Sequence, residues 1–153
     1  MKIMVYFSFR GEHLSYLIPT IYLLTSEKEK VYIISPWINA SVPLIRPWER
    51  PLRKVTLLEL CLEERSRGVD TEIFSSDMSN DDEYTQDSVW QFKKEGFNVE
   101  VITGLHTKAV LGHNLIYLGS ANITYNGIYK NRENVTIKVV DKPQKEMLSG
   151  LLE

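Results

Sequence analysis

The run VYIIS, Val31–Ser35, constrains this chain most, because it is rich in β-branched residues and almost wholly apolar. Such a run is expected of a strand covered on both faces, and Pro36 stops it. A strand of that kind needs an apolar layer above and another below, which points to a sheet sandwiched between helices. At 153 residues the chain is long enough for one hydrophobic core and too short to require two, so residues 1–153 are expected to form a single domain.

The segments around this strand supply the layers. Lys2–Phe7 is apolar and β-prone, and Gly11–Thr25 has helical spacing of Leu14, Leu17, Ile18, Ile21 and Leu24, with Pro19 marking a kink. Between Thr56 and Arg67 an amphipathic pattern ends at Gly68, and VDTEIFS alternates as a strand. The acidic linker SSDMSNDDEY offers N-cap residues for a third helix over Glu83–Glu95, closed by Gly96. NVEVIT reads as a strand. HTKAVL and NLIYLG read as a hairpin turning at Gly112 and His113, followed by a helix at ANITYNG and a strand at NVTIKVV. Helices alternating with strands predict an α/β fold with a mixed, largely parallel β-sheet flanked by helices.

Composition excludes little. Apolar residues make 43% and charged residues 25%, ordinary for a globular chain. The lone Cys61 lies in an apolar run and reads as a buried thiol. No leader pattern opens the chain, and Tyr16–Leu24, interrupted by Pro19, is too short to span a bilayer. The expectation is therefore a cytoplasmic protein with no membrane association. A net charge of −2 gives no global attraction for polyanions, so nucleic-acid binding would need a local basic surface.

Chemistry concentrates in the last third. On a strand, His106 and Lys108 of HTK share a face, presenting an imidazole that can attack phosphorus beside an ammonium that can neutralise non-bridging oxygens. Alone, this pair is better read as a strand with one polar face. GSAN, Gly119–Asn122, ends the next strand, where Ser120, Asn122 and the backbone N–H groups of a helix start could hold an anion; Ser120 could as well be an N-cap. The hairpin brings the two motifs together.

HTK, GSANITYNG and Glu133 in NRENVTI resemble the HKD motif of the phospholipase D superfamily with its downstream GSxN and acidic elements, over Leu105–Ile137. SPWI, Ser35–Ile38, is similar to that superfamily's early strand. The resemblance implies a phospholipase D-like α/β/α sandwich, with His106 as nucleophile or acid, Lys108 and Asn122 as phosphate ligands, and Ser120 and Glu133 as supporting residues. It implies no cofactor and no metal. Members use two HxK motifs per site, and this chain has one, so the resemblance implies a homodimer with both HTK motifs at the interface. One histidine would form a phosphohistidine, and the other would protonate the leaving group and then activate water. The family aspartate five residues after the lysine is here His113.

For the substrate, IRPWERPLRK holds Arg46, Arg50, Arg53 and Lys54 beside Trp48, a basic aromatic loop suited to a nucleic-acid backbone, with Lys130 and Arg132 closer to the motifs. A Pro-rich solvated loop is the plain alternative for that run. The expectation is a metal-independent endonuclease acting on DNA or RNA. The alternatives are a phospholipid or other phosphodiester hydrolase or transferase, and a catalytically silent nucleic-acid-binding or interaction module.

Overall fold

In a computed structural model, residues 3–77, 83–139 and 141–153 are described, with 3–11 as backbone path only. Strands β1 (Ile3–Arg10), β2 (Lys30–Ile34), β5 (Asp70–Ser76), β6 (Asn98–Ile102), β7 (Ala109–Leu111), β8 (Leu115–Gly119) and β9 (Arg132–Val139) form one sheet in the order β1-β9-β8-β7-β2-β5-β6. Strands β3 (Pro43–Arg46) and β4 (Arg53–Thr56) form a separate antiparallel ribbon.

The buried run does as its composition requires. In β2, Val31 and Ile33 enter one core cluster, while Tyr32 and Ile34 enter the other. The larger cluster lies under α1 (Leu14–Leu23), α2 (Leu57–Ser66) and α3 (Glu83–Lys94), through residues such as Ile18, Leu60 and Phe92. Met147, Leu148, Leu151 and Leu152 of α4 (Gln144–Leu152) cover the smaller cluster. The result is the expected α/β/α sandwich with a mixed sheet.

The parallel share is smaller than the sequence suggests. Among the described residues only β2–β5 and β5–β6 pair in parallel, whereas β1–β9, β9–β8, β8–β7 and β7–β2 are antiparallel. Crossovers of a dozen or more residues permit parallel neighbours but do not compel them. The tight hairpin fixes β7 against β8, and β9 returns beside β8 and receives β1 on its far edge.

Helix punctuation is largely where the sequence puts it. Thr56 caps α2 by accepting from Glu59 N, and Gly68 follows at φ +101, a left-handed conformation that favours glycine. Gly96 does the same after α3 at φ +87. The N-cap expected for α3 falls in residues 78–82, outside the described residues. Pro19 lies inside α1, which continues past it to Leu23. In the basic loop, Ile45–Arg46 and Arg53–Lys54 are strand residues of the β3–β4 ribbon, and only the stretch between them is loop.

Candidate functional site

Register assembles the two motifs at one end of the sheet. The pairing Ala109↔Leu118 puts Lys108 opposite Gly119, and Gly119 N donates to Lys108 O at 3.2 Å. Gly119 pairs on its other side with Val135, two residues beyond Glu133. This end also receives the carboxyl ends of β2, β5 and β8, the common place for ligands in open α/β sheets.

His106 and Lys108 are not on a strand, which corrects the sequence reading. They lie in the connection from β6 to β7, which reaches strand geometry at Ala109. Its path is nevertheless fixed. Gly104, at φ +72, donates its N–H to Asp77 Oδ1 at 3.2 Å, and Leu105 is buried in the smaller core cluster with Ala109. His106 is exposed and Lys108 half-buried. The Lys108 ammonium donates to His106 O at 2.9 Å, so the two residues of the motif are in direct contact.

GSAN begins no helix, a second correction. A π-helical turn over Asn126–Lys130 comes later, and the segment before it is a loop in which three N–H groups are engaged. Ser120 N donates to Asn134 O, Ala121 N to Tyr117 Oη, and Ile123 N to Ser35 Oγ. Three groups brought in by the fold outcompete the helix start, so a helix-terminus anion site is not formed there. Tyr117 is the central one: its buried hydroxyl accepts from Ala121 N at 3.0 Å and donates to Ala121 O at 3.1 Å. Burial pushes its phenol well above the ordinary tyrosine range.

The side chains of the loop are held as firmly as its backbone. Ser120 Oγ donates to Glu133 Oε2 and accepts from Asn134 N at 2.8 Å, which joins the supporting serine to the acidic residue. Asn122 Oδ1 accepts from Trp37 N at 3.2 Å, leaving its amide nitrogen as the end that can donate to an anion. Ser35 Oγ donates to Trp37 O at 2.5 Å, and Ile38 bridges to Ile123, so SPWI and GSANI are sewn together across 85 or more residues of sequence. Asn122 and Glu133 face a common cleft of about 510 Å³, also lined by Trp37, Tyr84 and Tyr125. His106 and Lys108 do not line it.

The basic loop is only partly available. Arg46 is 6% exposed, bonded to Glu64 at 3.1 Å and Glu63 at 2.6 Å, which removes it from any substrate surface. Its ion pairs override burial and hold its guanidinium more firmly protonated. Arg53 is exposed but pairs with the same Glu63 and with Glu49. Arg50 donates to the carbonyls of Pro47 and Glu49. Lys54 and Trp48 are exposed, the latter 5.7 Å from the Arg46 guanidinium. Lys130 and Arg132 are exposed, with Lys130 Nζ 5.6 Å from the centre of the Tyr125 ring. His113, at the family's aspartate position, is in the hairpin turn and bonded to Glu29 at 2.5 Å. The sequence reading missed the Tyr117 hydroxyl, the Ser35–Trp37 clamp, and Tyr84 and Tyr125 in the cleft. Only the clamp had a signal, the SPWI motif itself.

An α/β/α sandwich with HTK, GSAN and Glu133 gathered at one end of its sheet is the architecture of the phospholipase D superfamily. The family described as "Cardiolipin synthase, PLD-like domain" matches residues 21–149, and this chain belongs to it. No curated protein matches significantly in sequence. Among solved structures, the chain is similar to the phospholipase D family member Nuc from Salmonella typhimurium, at 16% identity and TM-score 0.69, covering 99% of this chain and 90% of that one. It is similar to NucT from Helicobacter pylori at 16% identity and TM-score 0.61, covering 98% and 91%. Phosphatidylserine synthase from Haemophilus influenzae gives 15% identity and TM-score 0.57, covering 98% of this chain and 37% of that one. These identities speak for the fold. No helix among the described residues is long and apolar enough to cross a membrane.

Proposed function

We propose that this chain is one phospholipase D-like domain acting as a metal-independent endonuclease on DNA or RNA, with its active site completed by a second copy. The observation that carries this reading is the convergence of HTK, GSAN and Glu133 at one sheet end, with Lys108 against Gly119 and Ser120 bonded to Glu133. The single HxK motif supplies half of the acid–base machinery, so two copies would meet with their β6–β7 connections facing across a two-fold axis.

In the first step a nitrogen of His106 attacks phosphorus. A P–N bond forms, the P–O bond to the leaving strand breaks, and the partner's His106 gives its proton to the departing oxygen. In the second step that neutral imidazole takes a proton from water, the resulting hydroxide attacks phosphorus, and the P–N bond breaks to release a phosphomonoester and restore His106. Lys108 and the Asn122 amide nitrogen neutralise and bind the non-bridging oxygens, where negative charge builds in both transition states. Ser120 and Glu133 hold the Asn122 loop against β9. Arg50, Arg53, Lys54 and Trp48, with Lys130 and Arg132, are the remaining candidates for contacts along the strand.

Cleavage of single- and double-stranded DNA and RNA by the pure protein in EDTA is the test. Turnover is expected with wild type and a loss of at least about 10³-fold with His106→Ala. Cleavage that needs a metal, or that survives this substitution, would overturn the mechanism.

A further inference from the structure

The cleft beside Asn122 has, beyond Asn122 itself, a lining that suits a neutral group rather than a phosphate. Among the described residues, no lining side chain is lysine or arginine, and the carboxylate there, Glu133, accepts from Ser120. It is rimmed by three aromatic rings that are left open to solvent, Trp37 at 46%, Tyr84 at 75% and Tyr125 at 49% exposed. Rings of this size are usually covered when they serve only packing. Between them the lining is polar and uncharged, from Asn39, Asn126 and Asn131, whose amides both donate and accept. Gly127, also in the lining, lets the turn close directly on the Asn122 backbone, since a Cβ there would come within 2.2 Å of Asn122 O.

A flat, neutral ring with donors and acceptors on its edge matches this lining, whereas an anionic backbone does not. The position is right for one: the cleft shares Asn122 with the proposed phosphate site, and Lys130 lies against the Tyr125 ring at its margin. We infer that this cleft seats an unpaired nucleobase adjoining the scissile phosphate, so that the substrate is single-stranded or locally unpaired where it is cut. In a duplex the base faces are already stacked and the pairing edges occupied, so neither the rings nor the amides could be used. This inference rests on the nuclease reading and narrows its substrate.

The test compares a single-stranded oligothymidylate with an abasic oligomer of the same length, which keeps every phosphate and loses every base. Binding is measured by fluorescence anisotropy in a His106→Ala background, where no strand is cut. Tighter binding of the oligothymidylate by about tenfold or more is expected from stacking of this kind. Tyr84→Ala should shrink that ratio severalfold and Tyr84→Phe should keep it; the high exposure of Tyr84 makes loss of folding an unsuitable explanation. Equal affinity for the two oligomers, or a ratio that Tyr84→Ala leaves intact, would overturn the base site. Cleavage by wild type separates the two readings. A preference for oligothymidylate without turnover keeps the base site and sinks the nuclease, while equal cutting of single strands, duplexes and abasic strands does the reverse.

Discussion

Cys61 and Tyr22 illustrate how burial sets chemistry at a single residue. The thiol lies in the core, 3.3 Å from Tyr22 Oη, and desolvation pushes it up to about 11 from an ordinary 9.0. Tyr22, which also meets Thr71 Oγ1 at 2.6 Å, is raised for the same reason. Both groups are acids favoured in their neutral form by folding. The unfolded thiol therefore ionises first as pH rises, and the stability tied to it is intact below about pH 9 and lost between about pH 9 and 11. Urea midpoints should be flat with respect to this group at neutral pH and fall across that window, and Cys61→Ala should flatten part of the fall. A thiol-specific reagent at pH 8 should leave the folded protein unlabelled and label it fully in denaturant.

Between elements, the decisive contact is the arginine that sequence reading put in the wrong place. Arg46 at the end of β3 ties the ribbon to α2 through Glu64, whose side chain is 6% exposed and is also bonded to Arg67 at 2.6 Å. Glu64→Ala removes the buried partner of the Arg46 guanidinium, and breaking such a pair costs about 3–5 kcal/mol; because Glu63 still holds Arg46, the lower end is expected. Arg50→Ala, with bonds only to exposed loop carbonyls, should change stability by less than about 0.5 kcal/mol. Chemical denaturation of the two variants checks both, and equal effects would contradict the structural role given to Arg46. Helix α4 makes a related point. Its apolar residues cover the second core cluster, although its length of 9 residues and Gly150 give it little helical tendency alone.

For the whole molecule, the proposed half-site makes assembly and activity one question. If each site needs His106 from both copies, wild type and His106→Ala mixed equally and allowed to exchange give about a quarter of wild-type dimers, since a two-fold pair forms at random. Cleavage should then fall to about a quarter of the value for wild type alone at the same total protein. A fall to only half would mean that each copy acts independently with its own histidine, a fall to about three quarters that one histidine suffices in a shared site, and a strict monomer by sedimentation would remove the basis of the shared site.

The sequence by itself determined the sandwich, the buried β2, the ends of α2, the close of α3 at Gly96, and the proximity of HTK to GSAN. These follow from local rules: a period of two or of 3.6, a glycine at positive φ, a short hairpin. Resemblance to a known motif added Glu133, which structure finds bonded to Ser120. What only tertiary structure decided was where polar groups find partners. Ser35 reaches Ile123, Tyr117 Oη takes both backbone groups of Ala121, and Glu64 takes Arg46, so GSAN is a tied loop rather than a helix start and the basic loop loses its first arginine. A buried donor or acceptor must be satisfied by whatever group the fold brings within reach, and distance along the chain does not encode which group that is. The aromatic cleft has the same origin: Trp37, Tyr84 and Tyr125 come from three separate stretches of sequence and become one surface only when β2, α3 and the loop after β8 meet.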